Sequence, residues 1–191
     1  MKKISKIAPL SLLAALSLGL FALVSPISSA YADTTGSSTT SVGVTAGSLS
    51  LDSTPDLAFT SLGVGDIANA TSTVNSPLDT AGNIQVTDDT GSGDGWSLAA
   101  GVTDLTNGDN TLDVSSLTIN NVSITPSTDG STTSTVWDNS ASTGGTLTQA
   151  LSSSNTSITL GQDTNVLAGT YSGSVNWVLT ANTSAETQGA E

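Results

Sequence analysis

The feature that most constrains the fold is the spacing of apolar residues, which alternate with polar residues in short bursts from position 42 onwards. A period of two places successive side chains on opposite faces of a β-strand. Turn-forming residues separate the bursts, and Asn107-Gly108-Asp109-Asn110 and Thr128-Asp129-Gly130 are typical turns. This pattern predicts an all-β fold, a single antiparallel β-sandwich of Greek-key-like type. The bursts are Val42/Val44/Ala46, Leu49/Leu51, Ile84/Val86, Trp96/Leu98, Leu117/Ile119, Val122/Ile124 and Ile158/Leu160.

The clearest predicted strand is the last one, 171–180. Its odd-numbered residues from Tyr171 to Leu179 share one face, and the opposite face is polar except for Val178. A helical period occurs only weakly, near 146–151.

The first 32 residues have the three parts of a secretory signal peptide. They begin with Lys2, Lys3 and Lys6, continue with an apolar run from about Ile7 to Val24, and end in the small-residue pattern Ala30-Tyr31-Ala32. We therefore predict that residues 1–32 are removed on export.

The mature chain, which we expect to begin at Asp33, divides into three parts. Residues 33–41 are a polar, flexible lead-in, 42–180 form the single β domain, and 181–191 are a disordered tail. The sequence contains no cysteine, so it forms no disulfide and carries no lipid anchor through Cys. These features predict a secreted protein with no membrane segment after cleavage.

The charge balance is extreme, because the signal peptide holds all three basic residues of the protein. Its removal changes the formal net charge from −13 to −16, since the 16 Asp and Glu stay and the three lysines leave. Nucleic-acid binding is excluded because phosphate contacts depend on Lys and Arg. Without His, Cys or Lys there is no common catalytic triad, zinc site or Schiff base. We expect no cofactor and no enzymatic activity.

Two Trp-x-Leu triplets, Trp96–Leu98 and Trp177–Leu179, are the only recurring motif. In a strand, Trp and the Leu two residues later point to the same side, so the triplets are typical of core strands. The alternative is that the rings are partly exposed and stack on a sugar or peptide. Trp137 is the better candidate for an exposed aromatic residue, since no alternating apolar residues surround it.

The chain resembles the WxL-domain surface proteins of low-GC Gram-positive bacteria. Three segments carry the resemblance, LSLDSTPDLAF (49–59), IQVTDDTGSGDGWSL (84–98) and GTYSGSVNWVLT (169–180). It implies a protein attached noncovalently to the cell wall, with peptidoglycan or another wall component as ligand. The implied motif residues for wall binding are Trp96, Leu98, Tyr171, Trp177 and Leu179. The implied protein partners are other WxL proteins, a DUF916-type protein and an LPxTG-type protein.

An acidic loop before Trp96 raises two further hypotheses. Asp88, Asp89 and Asp94, interleaved with glycines, are weak candidates for a calcium site, but their spacing does not match an EF-hand. The segment Asp89-Thr90-Gly91-Ser92 matches the aspartic-protease motif by letter, yet no second Asp-Thr-Gly follows. A tight turn explains the same residues.

The sequence is also compatible with two other functions. The protein could be a self-assembling structural or fibre subunit, or an adhesin that binds host glycans. Alternating strands rich in Ser and Thr would serve either role.

Overall fold

The computed structural model describes residues 37–70, 73–140 and 144–183. The predicted signal peptide 1–32 lies outside these residues, as do the first part of the lead-in and most of the C-terminal tail. By its contacts the chain divides into Met1–Val42 and Gly43–Glu191, and the helix and strands given below lie in the second part. No helix in the described ranges is long and apolar enough to cross a bilayer.

Antiparallel strands are the main regular structure of the described residues, which confirms the predicted all-β class. They contain one short helix, α1 (Val64–Ala68). The strands are β1 (Leu49–Ser53), β2 (Val74–Pro77), β3 (Gly82–Asp88), β4 (Trp96–Val102), β5 (Leu105–Asn107), β6 (Asn110–Leu112), β7 (Val114–Ile119), β8 (Val122–Ile124), β9 (Thr133–Asn139), β10 (Gly145–Leu151), β11 (Ser157–Leu160) and β12 (Val175–Ala181).

The strands form small sheets that share one apolar core. Two sheets have three strands, in the orders β1-β3-β10 and β12-β4-β9, and a third has four, in the order β2-β11-β7-β8. The strands β5 and β6 form a separate hairpin. Most neighbouring strands are not consecutive in sequence, so pairing between distant segments defines the fold.

Burial follows the predicted alternation. In β3 the side chains of Ile84 and Val86 are fully buried, and in β11 Ile158 and Leu160 are buried while their neighbours are half-buried. Burying an aliphatic side chain of this size stabilises the fold by about 1.5–3 kcal/mol. Apolar burial is therefore the main source of stability, since residues 37–183 contain no Lys, Arg or His that could form an ion pair.

Four segments differ from the sequence-based expectation. The last strand, predicted over 171–180, begins only at Val175, and residues 171–174 before it form a single isolated bridge at Ser172. The first burst, around Val42 and Val44, forms no strand because no described strand lies beside it to complete the hydrogen bonds. The segment 146–151, a weak helix candidate, lies within β10, where it pairs with β3. The helix α1 was not predicted; the Asp66 carboxylate accepts a hydrogen bond from the Gly63 N–H (2.8 Å) and caps its first turn.

The hairpins depend on residues that accept left-handed backbone angles. Gly108 has φ 61° in the turn between β5 and β6, and the pair Asn107 and Asn110 closes this hairpin. Asn120 and Asn121 have φ 50° and 65° between β7 and β8, as a two-residue turn of type I′ requires. The first turn was predicted from Asn-Gly, and the second was not.

Hydrogen bonds from hydroxyl groups stabilise two exposed carboxylates, which have no basic side chain to pair with in residues 37–183. The pKa of Asp52 lies below its usual value because the Thr87 hydroxyl, and then the Ser50 hydroxyl, donate to it. The pKa of Asp129 is lowered in the same way by the hydroxyl and N–H of Ser131. In the described residues, no buried side-chain polar atom lacks a hydrogen-bond partner.

Candidate functional site

The fold brings the two Trp-x-Leu triplets together as neighbours in one sheet. The strands β4 and β12 pair antiparallel, with Leu98 opposite Leu179 and Trp177 opposite Ala100. Directly opposed residues in an antiparallel pair share a face of the sheet. The two motifs, distant in sequence, therefore form a single apolar surface directed at the core.

Trp96 is a core residue. Its side chain and that of Leu98 are 0% exposed. The Trp96 ring meets Trp137 edge-to-face, with centroids 4.8 Å apart and planes at 84°, an arrangement that aromatic pairs prefer. The preceding Gly95 allows a close approach, since a Cβ there would lie 2.0 Å from the Asn139 carbonyl oxygen.

Trp137 was predicted to be an exposed aromatic residue, but its side chain is half-buried and packs against the core. It lies in β9 opposite Leu98, where the register shifts and leaves Val136 without its own partner on β4. Such an irregularity interrupts strict alternation. As a result, Val136 is 2% exposed while the adjacent Trp137 also contacts the core.

Trp177, Leu179 and Tyr171 are all half-buried and pack against the core from its periphery. The Tyr171 hydroxyl donates a hydrogen bond to the Leu167 carbonyl (3.1 Å) and accepts one from the Leu167 N–H (3.3 Å). These three motif residues therefore retain some exposed surface, unlike Trp96 and Leu98.

The sequence matches the family described as WxL domain surface cell wall-binding over residues 25–182. The chain belongs to the WxL family. WxL proteins of this description are surface proteins that bind the cell wall, and this chain is one of them. No curated protein and no solved structure matches it.

In this WxL domain the acidic loop before Trp96 is a turn built by short polar side chains. Asp88 is only 2% exposed, and its Oδ1 accepts hydrogen bonds from the N–H (3.1 Å) and the hydroxyl (2.7 Å) of Thr90. The Asp94 N–H donates to Ser92 Oγ (3.1 Å), whereas Asp89 is exposed. No three acidic residues of the described chain are grouped so that they could hold a metal ion. The structure therefore does not bring the weak metal candidates together as a site.

A cleft of about 480 Å³ opens between residues 57–62 and residues 169–175, the stretch that leads into β12. Its floor consists of buried aliphatic side chains, and none of its lining residues is charged. Tyr171 lies in one wall. No local sequence pattern predicted this cleft, because its two walls are distant in sequence. The available signal was the absence of acidic residues from 164 to 185.

A second, polar groove of about 500 Å³ lies beside the segment 172–174. Hydroxyl-bearing side chains line most of it, and Asp104 is its only charged residue. The Asp104 carboxylate accepts a hydrogen bond from the Val114 N–H (3.0 Å). The segment 172–174 therefore separates an apolar cleft from a groove rich in hydroxyls.

Proposed function

We propose that the mature chain is exported and held noncovalently on the peptidoglycan of a Gram-positive wall, as part of a surface complex with other WxL, DUF916-type and LPxTG-type proteins. The WxL family supports the surface and wall-binding role. The signal-peptide pattern of residues 1–32 supports export. The resemblance noted in the sequence supports the protein partners.

The observation that carries the mechanism is the absence of any basic side chain after Lys6. Anionic wall polymers repel such a chain, so adsorption through a positive patch is excluded. The remaining contacts are hydrogen bonds and stacking on neutral glycan, carboxylates that meet free ammonium groups, and carboxylates bridged by divalent cations. Each exposed ion pair contributes only about 0–1 kcal/mol, so firm attachment needs many contacts or partner proteins.

The burial of the motif residues separates two roles. Trp96 and Leu98 stabilise the fold and are inaccessible to a wall polymer. The side chains of Trp177, Tyr171 and Trp137 are half-buried, and their exposed parts are available for contact with glycan. The family motif therefore acts mainly by building the domain, and surfaces beside it meet the wall.

The experiment is a pull-down on purified peptidoglycan sacculi, comparing wild type with Trp96→Ala, Trp137→Ala and Trp177→Ala. Circular dichroism of each variant gives the folded fraction, and bound protein is counted per folded molecule. We expect Trp96→Ala to keep its capture per folded molecule, and Trp137→Ala and Trp177→Ala, whose side chains are half-buried, to lose part of it. Equal capture by all three folded variants would remove Trp177 from the contact surface. Absence of wild-type capture, with and without the partner proteins, would reject wall attachment.

A further inference from the structure

A short exposed segment precedes β1, and it has the sequence of a strand without a strand beside it. We call residues 42–46 the arm. Val42 and Val44 are 88% and 92% exposed. The arm's backbone from Gly43 to Ala46 forms no hydrogen bond with any described residue, whereas the next N–H, that of Gly47, donates to the Asp89 carbonyl (2.8 Å). An exposed apolar segment with unpaired backbone is a template for pairing with another chain.

The cleft between residues 57–62 and 169–175 has backbone groups in both walls that find no partner in the described part of the chain. The first wall is formed by residues 57–62. Phe59 lies opposite Leu78 in an isolated antiparallel bridge. The hydrogen bonds of this bridge are made by the flanking residues, with the Thr60 N–H on the Pro77 carbonyl (3.1 Å) and the Asp79 N–H on the Ala58 carbonyl (2.8 Å). In an antiparallel ladder, the N–H and C=O of Phe59 then point away from Leu78. They have no hydrogen-bond partner among the described residues.

The second wall, residues 169–175, also has backbone groups without partners among the described residues. Ser172 exchanges two backbone hydrogen bonds with Thr106 (2.8 and 3.0 Å). The backbone groups of its neighbours Tyr171 and Gly173 therefore point away from Thr106. Every residue of both walls lines the cleft, so backbone as well as side chains borders it. A strand inserted between the walls would meet the unpaired backbone groups of both.

The chemistry of the arm matches that of the cleft. The floor is apolar and includes Val102, Leu112, Leu117, Ile158 and Leu160. Neither the lining nor the arm contains a charged residue, although the chain has 16 acidic residues and the mature part has no basic one. Copies of this protein repel each other wherever carboxylates face carboxylates, so uncharged surfaces are where two copies meet most easily. The two valines of the arm are exposed to solvent in the single molecule. We therefore consider the arm of a second copy as the occupant of the cleft.

We propose that the arm of one molecule inserts as an additional strand into the cleft of a second copy, with Val42, Val44 and Ala46 facing the apolar floor. The inserted strand would hydrogen-bond to the free backbone groups of both walls, the mode of recognition known as strand addition. Because arm and cleft are different surfaces, the contact is head-to-tail, and the molecules join into a chain that has a free arm at one end and a free cleft at the other. Wall attachment does not require this assembly, and the assembly does not require the wall.

Disulfide trapping tests the contact directly, because the protein has no cysteine of its own. One preparation of the mature chain carries Val44→Cys and another carries Thr170→Cys, a residue in the cleft wall. After mixing and mild oxidation, we expect the mixed disulfide dimer to be the main product. The matched control replaces Thr170→Cys by Val178→Cys, a 47% exposed position on β12, and we expect little mixed dimer from it. Equal yields from the two mixtures would overturn the proposal.

A double variant with Val44→Cys and Thr170→Cys in one chain distinguishes exchange between copies from closure within one copy. We expect its cross-linking to fall as the protein is diluted. A disulfide that forms within single molecules at every dilution would overturn the assignment of a second copy.

Analytical ultracentrifugation gives an independent measure. The mature protein should form oligomers whose size increases with concentration, and Val44→Asp should be monomeric over the same range. Thr40→Asp, which adds the same charge just before the arm, should behave as wild type. These substitutions leave the fold intact, because both side chains are exposed. A wild type that stays monomeric at all concentrations, or an equal effect of the two substitutions, would overturn the proposal.

Discussion

Truncation of the buried tryptophan, Trp96→Ala, gives the sharpest test of the role assigned to the family motif. The Trp96 side chain is 0% exposed and stacks edge-to-face on Trp137. Removal of a large aromatic side chain from a core costs about 3–5 kcal/mol, and an aromatic pair adds about 0.5–1.5 kcal/mol of its own. We expect the free energy of unfolding to fall by about 4 kcal/mol. For a domain of this size, that loss lowers Tm by about 8–16 °C.

Urea denaturation followed by circular dichroism measures this loss, with Trp177→Ala as the control. Trp177 is half-buried and lies opposite the small residue Ala100, so its truncation should cost about 2 kcal/mol. The order of the two losses is the essential result. A loss of less than about 1 kcal/mol for Trp96→Ala, or a larger loss for Trp177→Ala, would refute a core role for the first triplet.

Three further predictions concern charge and processing. Wall retention should increase as the pH falls from 7 towards about 4, where carboxylates begin to be protonated and repulsion weakens; flat or falling retention of folded protein would contradict this. Thr87→Val should lower Tm at neutral pH because it removes a donor to Asp52, and the difference from wild type should narrow below about pH 4. A carboxyl group whose pKa is lower in the folded than in the unfolded state stabilises the fold above its unfolded pKa, and this stabilisation is lost as the pH falls. A difference in Tm that stays constant from pH 7 to 3 would contradict this prediction. Protein recovered from the cell surface should begin at Asp33 and keep its mass after trypsin, since no Lys or Arg follows Lys6; tryptic shortening would show a retained leader.

The strands were predictable where alternating apolar residues face a common core. The bursts at Ile84/Val86, Trp96/Leu98 and Ile158/Leu160 all lie in strands with those side chains inside. The same rule failed for the arm, because alternation makes a strand only where a neighbouring strand completes the hydrogen bonds. A periodic pattern identifies a segment able to pair, and the tertiary structure decides whether it does.

The candidate site was harder to predict than the strands, because it is formed by pairing between strands that are distant in sequence. The sequence predicted that Trp96 and Leu98 share one face, but the pairing of Leu98 with Leu179 is a matter of register that no local pattern specifies. Trp137 was expected in solvent because its flanking residues do not alternate. The irregular register at Val136 turns it against Trp96 instead, and only the partner strand reveals that shift.

We propose that this WxL protein attaches to the wall without positive attraction, and the salt dependence of its capture is the decisive measurement. Mature protein is incubated with sacculi bearing teichoic polymers and with sacculi stripped of them, in rising concentrations of NaCl at neutral pH. We predict stronger capture by stripped sacculi, and capture on the polymer-bearing sacculi that stays constant or increases as salt screens the repulsion. Capture that requires the anionic polymers and is lost as salt increases would contradict the claim.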